Sequence, residues 1–247
     1  MSKISIITLL FLLQVFFINH QAMGVVSATS IGTIVLKLGS VYKYDENGGK
    51  VELEEYGNVF SGDRVVTGDS GFLKVKMVDD SVIRMGNNSI FLFKNYFVRS
   101  TLVKDGEFVH EKGPIRAMFK VKTDVGNIKL KSSAISANVD GAEFVADLYG
   151  NGDKASLQRM AVLSGDVKVD LLGSKPSNHE SQVTVNQGNA LVYDSIAGTV
   201  NVSKMSESEA ARLKNDENAQ LAKVELVEDT KPAIKPAKRS GIGSFSQ

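Results

Sequence analysis

The residues able to do chemistry in this sequence are few and scattered. The chain of 247 residues contains three histidines and no cysteine, which removes disulfides, thiolate nucleophiles and cysteine zinc sites at once. His110 and His179 are the two histidines beyond the N-terminal stretch. They lie far apart and outside any HExxH-type spacing, so a histidine-based zinc site is not indicated. Asp79-Asp80 places two carboxylates side by side, the composition of an acid–base pair or a cation site, but it equally fits a solvated hairpin tip, which is the favoured reading. Asn151-Gly152-Asp153 presents the same choice. Ser70, in Asp69-Ser70-Gly71, reads as a turn residue, because no Gly-x-Ser-x-Gly elbow is present. No glycine-rich phosphate loop leads into a helix. No catalytic, cofactor-binding or metal-ligating residue is assigned on these grounds.

The elements that would position such residues follow a period of two. Leu73, Val75 and Met77 alternate with Lys74 and Lys76, and Ile128 and Leu130 alternate with Lys129 and Lys131. Val167 and Val169 flank Lys168, and Val183 and Val185 flank Thr184. Alternation of this kind buries one side of a strand and wets the other. Turn residues punctuate the runs at Asn47-Gly48-Gly49, Gly68-Asp69, Asp79-Asp80, Gly86-Asn87-Asn88, Gly150-Asn151-Gly152 and Gly173, where tight hairpins need left-handed angles. From Ile31 to Ser203 the pattern predicts an all-β domain of many short strands, a sandwich, roll or β-solenoid-like stack. A short echo, Ser61-Gly62-Asp63-Arg64-Val65-Val66 against Ser164-Gly165-Asp166-Val167-Lys168-Val169, suggests recurring turn-strand units.

The densest aromatic cluster is Phe91, Phe93, Tyr96 and Phe97. Aromatic residues dominate partner contacts, but here they are expected to fill the core. Ser206 and Glu209 fit a capping box opening a helix from Glu207 to Lys223, whose thin stripe of Ala210, Leu213 and Leu221 predicts light docking on the surface. Val224 to Val227 reads as a further short strand.

Both termini differ from this body. Lys3 followed by the apolar stretch Ile4–Ile18 and small residues resembles a secretory signal, cleaved after Gly24 or Ala28. The stretch is shorter than the ~20 residues a spanning helix needs. Without Lys3, the 29 basic and 28 acidic side chains balance, unlike the basic excess of a nucleic-acid-binding protein. Residues 230–247 carry Lys231, Lys235, Lys238 and Arg239 with no acid and read as a disordered basic tail. The expected organisation is a signal peptide at 1–28, a β domain at 29–203, a C-terminal helix and flank at 204–229, and the tail at 230–247.

Several motifs taken in order resemble the FecR-domain family. Gly57 to Leu92 looks like the first half of such a domain, with Gly62-Asp63, Thr67-Gly68 and Asp80-Ser81 in the places of its turns. Later segments, Val121–Leu130, Val139–Asp147, Met160–Val169 and Val183–Asp194, are similar to its remaining strand-turn units, and the likeness runs from about Gly32 to Val202. Two departures stand out: Asp80 where the family commonly has glycine, and Ala142 where it has threonine. Family members that regulate iron uptake are similar to a three-part design of cytoplasmic sigma-factor-binding segment, membrane helix and periplasmic domain. With three residues ahead of the apolar stretch, this chain is expected to lack the first part.

The resemblance implies a single FecR-like β domain, periplasmic or secreted in the bacterial cell envelope. The expected role is a non-enzymatic binding or adaptor module that engages another envelope protein or a cell-wall polymer. It needs no cofactor, binds no nucleic acid and keeps no stable membrane span after cleavage. The alternative is a periplasmic signal-relay component working with a separate membrane protein. An envelope hydrolase relying on His110 or on the Asp79-Asp80 pair is the least favoured reading.

Overall fold

The computed structural model describes residues 29–44, 48–100, 103–120, 127–150, 157–174, 181–216 and 218. The expected signal peptide, the Val224–Val227 strand and the basic tail lie outside the described residues.

Among the described residues, alternating side chains build seventeen strands that form two faces. The front sheet runs, neighbour to neighbour, β4 (Asn58–Phe60), β1 (Ser30–Leu38), β6 (Phe72–Met77), β7 (Val82–Met85), the C-terminal part of β9 (Val103–Met118), β12 (Glu143–Tyr149), β13 (Leu157–Ser164), β16 (Asn189–Asp194) and β17 (Thr199–Lys204). The back sheet runs β3 (Lys50–Glu52), β2 (Val41–Tyr44), β5 (Arg64–Thr67), β8 (Ile90–Ser100), the N-terminal part of β9, β10 (Ile128–Lys131), β11 (Ile135–Asn138), β14 (Asp166–Leu171) and β15 (Gln182–Asn186). Strand β9 belongs to both faces and makes them one continuous structure. Its pairing with β10 is parallel, and the other pairings are antiparallel.

The choice between sandwich and solenoid dissolves in this topology. After β9 the chain lays down hairpins alternately on the two faces: β10–β11 at the back, β12–β13 in front, β14–β15 at the back, β16–β17 in front. Each hairpin adds to the outer edge of the previous one on its own face, through β11–β14 and β13–β16. The result is a two-layer sandwich grown by solenoid-like alternation. The sequence echo marks the same move twice, since Gly62 and Gly165 both take positive φ, 94° and 73°, where the chain leaves a front strand (β4, β13) for a back strand (β5, β14). Glycine reaches that region without the Cβ clash other residues meet.

One core lies between the faces. Leu73, Val75, Phe144 and Leu191 from the front meet Val65, Phe91, Phe108 and Val169 from the back, all buried. The lysines that alternate with them on β6 and β10, apart from half-buried Lys74 and Lys131, stay exposed. Phe91, Phe93 and Tyr96 are core residues as expected. They pack about Phe108 of β9, whose ring lies 5.8, 6.0 and 5.5 Å from theirs, within the range of favourable aromatic pairs. Phe97 is exposed.

A second, smaller cluster lies on the outer side of the front sheet, where Val145, Ala161 and Leu163 are covered by Leu213. Leu213 belongs to α1 (Glu207–Asn215). Ser206 caps this helix, its Oγ accepting from the Glu209 amide at 3.2 Å, while the Glu209 carboxylate pairs with Arg212. The helix is shorter than the expected Glu207–Lys223. It ends at Asn215 because Arg116 of β9 donates to the carbonyls of Leu213 and Asp216, at 2.7 and 2.9 Å. The Asn218 amide donates to the Asp216 carboxylate at 2.9 Å, a local side-chain contact that competes with helix.

Candidate functional site

The point where β9 passes from one sheet to the other holds one of the ionisable residues singled out above, His110. Gly113 sits at the bend with φ 78°. A Cβ there would come within 2.7 Å of the Asn88 carbonyl oxygen and 2.8 Å of the Ser89 Cα, so the bend requires both the left-handed angle and the missing side chain. Three residues earlier, His110 is fully buried, and its Nε2 lies 2.6 Å from the Gly113 carbonyl. A carbonyl oxygen only accepts, so the proton is on Nε2 and Nδ1 carries the lone pair. Nδ1 is buried without a hydrogen-bond partner. Burial pushes His110 down to about 4, against a smaller upward pull from the Gly113 carbonyl. His110 is thus a neutral staple of the crossover.

That shift has a sign. An unfolded chain protonates this imidazole near pH 6.5, whereas the folded chain resists until about pH 4, so the unfolded state binds more protons in between and stability falls as pH drops through that window. We predict a loss of roughly 3 kcal/mol from this group, read by denaturant unfolding at successive pH values. The His110→Gln variant should show a correspondingly flatter profile between those limits. An unchanged profile would remove His110 from the account.

Asp79 and Asp80 part company. Asp80 takes φ 65° at the β6–β7 turn, is exposed, and pairs with Lys76 at 2.7 Å. Its left-handed angle shows how aspartate serves where the resembled family has glycine. Asp79 is not the solvated tip residue expected from sequence. Its side chain is 5% exposed and that of Lys104, on β9, is 3% exposed, with Nζ 2.6 Å from Oδ2. The Ser81 amide and hydroxyl also donate to Asp79. Burial raises the carboxyl, but the Lys104 ammonium and the Ser81 donors outweigh it and hold Asp79 below the usual carboxylate range. The phenol of Tyr96 is pushed up strongly by burial and by the nearby Asp79 charge. The cluster fastens the β6–β7 turn to the long β8–β9 hairpin of the opposite sheet. Asp79 turns inward because the period-two register places it on the core side, and Lys104 reaches it from β9.

Ser70 lies in an exposed turn, as expected. Asn151-Gly152-Asp153 and His179 lie outside the described residues. Among the described residues, no three His, Asp or Glu side chains gather closely enough to hold a metal ion. Ala142, the other departure from the family pattern, is buried, so a methyl fills its place without a hydroxyl to satisfy.

Sequence reasoning passed over the outer surface of the back sheet. There Arg64 of β5 grips Glu111 of β9 through Nε and Nη2, with contacts of 3.0, 3.0 and 2.6 Å. The Glu111 partnership raises Arg64 above its usual range. Beside this pair is a depression of about 230 Å³ lined by Arg64, Ile90, Val109, His110, Glu111 and Lys112 among others. No single-sequence signal pairs Arg64 with Glu111, because only the sheet register brings them together.

The geometry defines an all-β, two-faced strand stack whose crossover is held by the buried His110–Gly113 contact. Residues 63–168, from the turn before β5 into β14, match the family model described as FecR protein. No curated protein sequence matches the chain significantly. Among solved structures, two from Parabacteroides distasonis ATCC 8503, each titled as a candidate anti-sigma factor, are similar to it. One has 11% identity, a TM-score of 0.48, and coverage of 61% of this chain and 63% of its own. The other has 13% identity, a TM-score of 0.46, and coverage of 60% and 62%. A structure titled "Cell surface anchoring domain" is 34% identical over 25% of this chain and 82% of its own, with a TM-score of 0.24. The chain thus spans less than two thirds of the two Parabacteroides structures. No helix among the described residues is long and apolar enough to cross a membrane.

Proposed function

We propose that this protein is a non-catalytic binding module of the bacterial cell envelope, exported by its N-terminal segment, that engages another envelope protein by accepting a strand at the open end of its sandwich. The observation that carries this reading is the state of that end. The last hairpins, β14–β15 and β16–β17, leave β15 and β17 as outermost strands, and among the described residues neither pairs with a further strand. Among the described residues, Val183, Val200 and Val202 pack against the core behind them but are only partly buried. An incoming strand would continue the alternation that built the fold, with main-chain bonds supplying affinity and alternate side chains selectivity. Strand β17 has neither proline nor a bulge to block such pairing, and its one charged residue, Lys204, stands at its end.

The edge is tested by charge. Replacing Asn201 and Ser203, both exposed on β17, by lysine should leave the melting temperature within a few degrees and cut recovery of crosslinked partner from envelopes at least tenfold. Undiminished recovery would overturn strand addition at β17. The second reading, a signal-relay component acting with a separate membrane protein, is favoured by the FecR match at 63–168. It predicts one dominant membrane partner instead of several soluble ones.

A further inference from the structure

The depression on the outer face of the back sheet has the size, charge pattern and setting of a sugar site. Its volume of about 230 Å³ corresponds to roughly seven or eight waters of liquid. That suits one small ring, and is below the range of drug-sized ligand pockets. The side chains facing it offer both kinds of hydrogen-bonding group. Glu111 presents carboxylate oxygens, Arg64 and Lys112 present donors, and Ile90 and Val109 give the wall an apolar part. The guanidinium and carboxylate hold each other in place by three contacts, so their remaining valences are oriented before any ligand arrives.

The mixture discriminates between ligand classes. A phosphate or sulfate would meet the Glu111 carboxylate, and a cation would meet Arg64 and Lys112. A polyol suffers neither conflict, because each hydroxyl donates and accepts at once. An aromatic face completes the setting. Tyr42 and Tyr44 share the outer side of β2, and register places Tyr42 opposite Val66 of β5, which sets Tyr44 beside Arg64. The Tyr42 and Tyr44 rings meet edge-on at 5.6 Å, and hydrogen bonding with Tyr44 is the main cause that raises the Tyr42 phenol. Lys50 Nζ caps the Tyr42 ring at 3.7 Å. Tyr44 is left 43% exposed, a platform on which the C–H face of a sugar ring can stack. His110, at the buried side of the depression, carries an unbonded Nδ1 acceptor.

We infer that this depression binds a single neutral pyranose unit of a surface glycan, held by Arg64, Glu111 and Lys112 and flanked by Tyr44. The site lies on the outer face of the back sheet, away from the β17 edge, so it stands or falls separately from strand addition there. The test is saturation-transfer NMR on the full chain with tetrasaccharides of glucose, N-acetylglucosamine, galactose and mannose, and with tetragalacturonate as the acidic counterpart. Saturable binding of at least one neutral tetrasaccharide is expected, weakened at least tenfold by Glu111→Gln and by the surface change Tyr44→Ala. The Asn201→Lys, Ser203→Lys variant should bind as the unaltered chain does. Binding of the acidic tetrasaccharide alone, binding indifferent to both site variants, or no binding of any of the five would overturn the inference.

Discussion

Replacing Lys104 by methionine is expected to destabilise the protein by about 3–5 kcal/mol, the cost of leaving a buried charge without its partner. The magnitude follows from burial on both sides of the pair: with Lys104 and Asp79 3% and 5% exposed, water cannot replace the lost ammonium. The Ser81 amide and hydroxyl would still donate to Asp79, but two neutral donors do not offset a charge. Two further measurements separate this from a packing defect. In the Lys104→Met chain the deficit should shrink at low pH, where protonation of Asp79 removes the uncompensated charge. In the unaltered chain the sign is reversed. The folded-state carboxyl is held below its ordinary value, so its contribution is present at neutral pH and lost as pH falls through the folded pKa. Adding Asp79→Asn to Lys104→Met should recover most of the loss, since asparagine keeps an acceptor for the Ser81 amide without the charge. A deficit independent of pH and not recovered in the double variant would mean that the ion pair is incidental.

Gly113→Ala should cost about 2–4 kcal/mol, an unusually large effect for adding one methyl group. Part of the cost is the left-handed angle of 78°, worth about 1 kcal/mol for a residue with a Cβ. The larger part is contact, because the new methyl would stand 2.7 Å from the Asn88 carbonyl oxygen and 2.8 Å from the Ser89 Cα, both backbone atoms that a rotamer change cannot move. The consequence should be regional as well as global. The bend is where β9 changes sheets, so amide exchange should quicken on both sides, at the paired residues Leu92 and Val109 in the back sheet and Ile115 and Ala146 in the front. A change of less than 1 kcal/mol, or faster exchange confined to the turn, would show that the crossover is not a shared structural joint.

Much of the fold could be read from single residues, and the reason is periodicity. Leu73, Val75 and Met77 alternate with lysines in the sequence and are buried in the structure, because a strand's two faces are fixed by its pleat. The Gly62 and Gly165 echo was legible for a similar reason: the same turn geometry demands the same residue wherever it recurs. What escaped reading depends on register between distant strands. Asp79 looks like any hairpin aspartate until Lys104 is laid opposite it, and nothing near either residue announces the pairing. Arg64–Glu111, and the ion pair of 2.7 Å that Arg116 of β9 makes with Glu143 of β12, are hidden in the same way. The helix was placed correctly at its start, where Ser206 and Glu209 act locally, and overextended at its end, where an arginine nearly a hundred residues earlier terminates it. Local rules fix starts and faces; long-range partners decide ends and burials.

The central claim, that the open end of the sandwich is where an envelope partner binds, is tested most directly by site-specific photocrosslinking in cells. A photoreactive residue would be placed in turn at Thr199, Asn201 and Ser203 on β17, and at Glu52 on the opposite edge strand β3 as control, followed by mass spectrometry of the adducts and of the protein's own N-terminus. The account predicts a discrete protein adduct from the β17 positions, absent from Glu52, on a chain beginning at residue 25 or 29. Equal labelling from both edges, or no adduct from β17 in a chain recovered intact from the envelope, would contradict it.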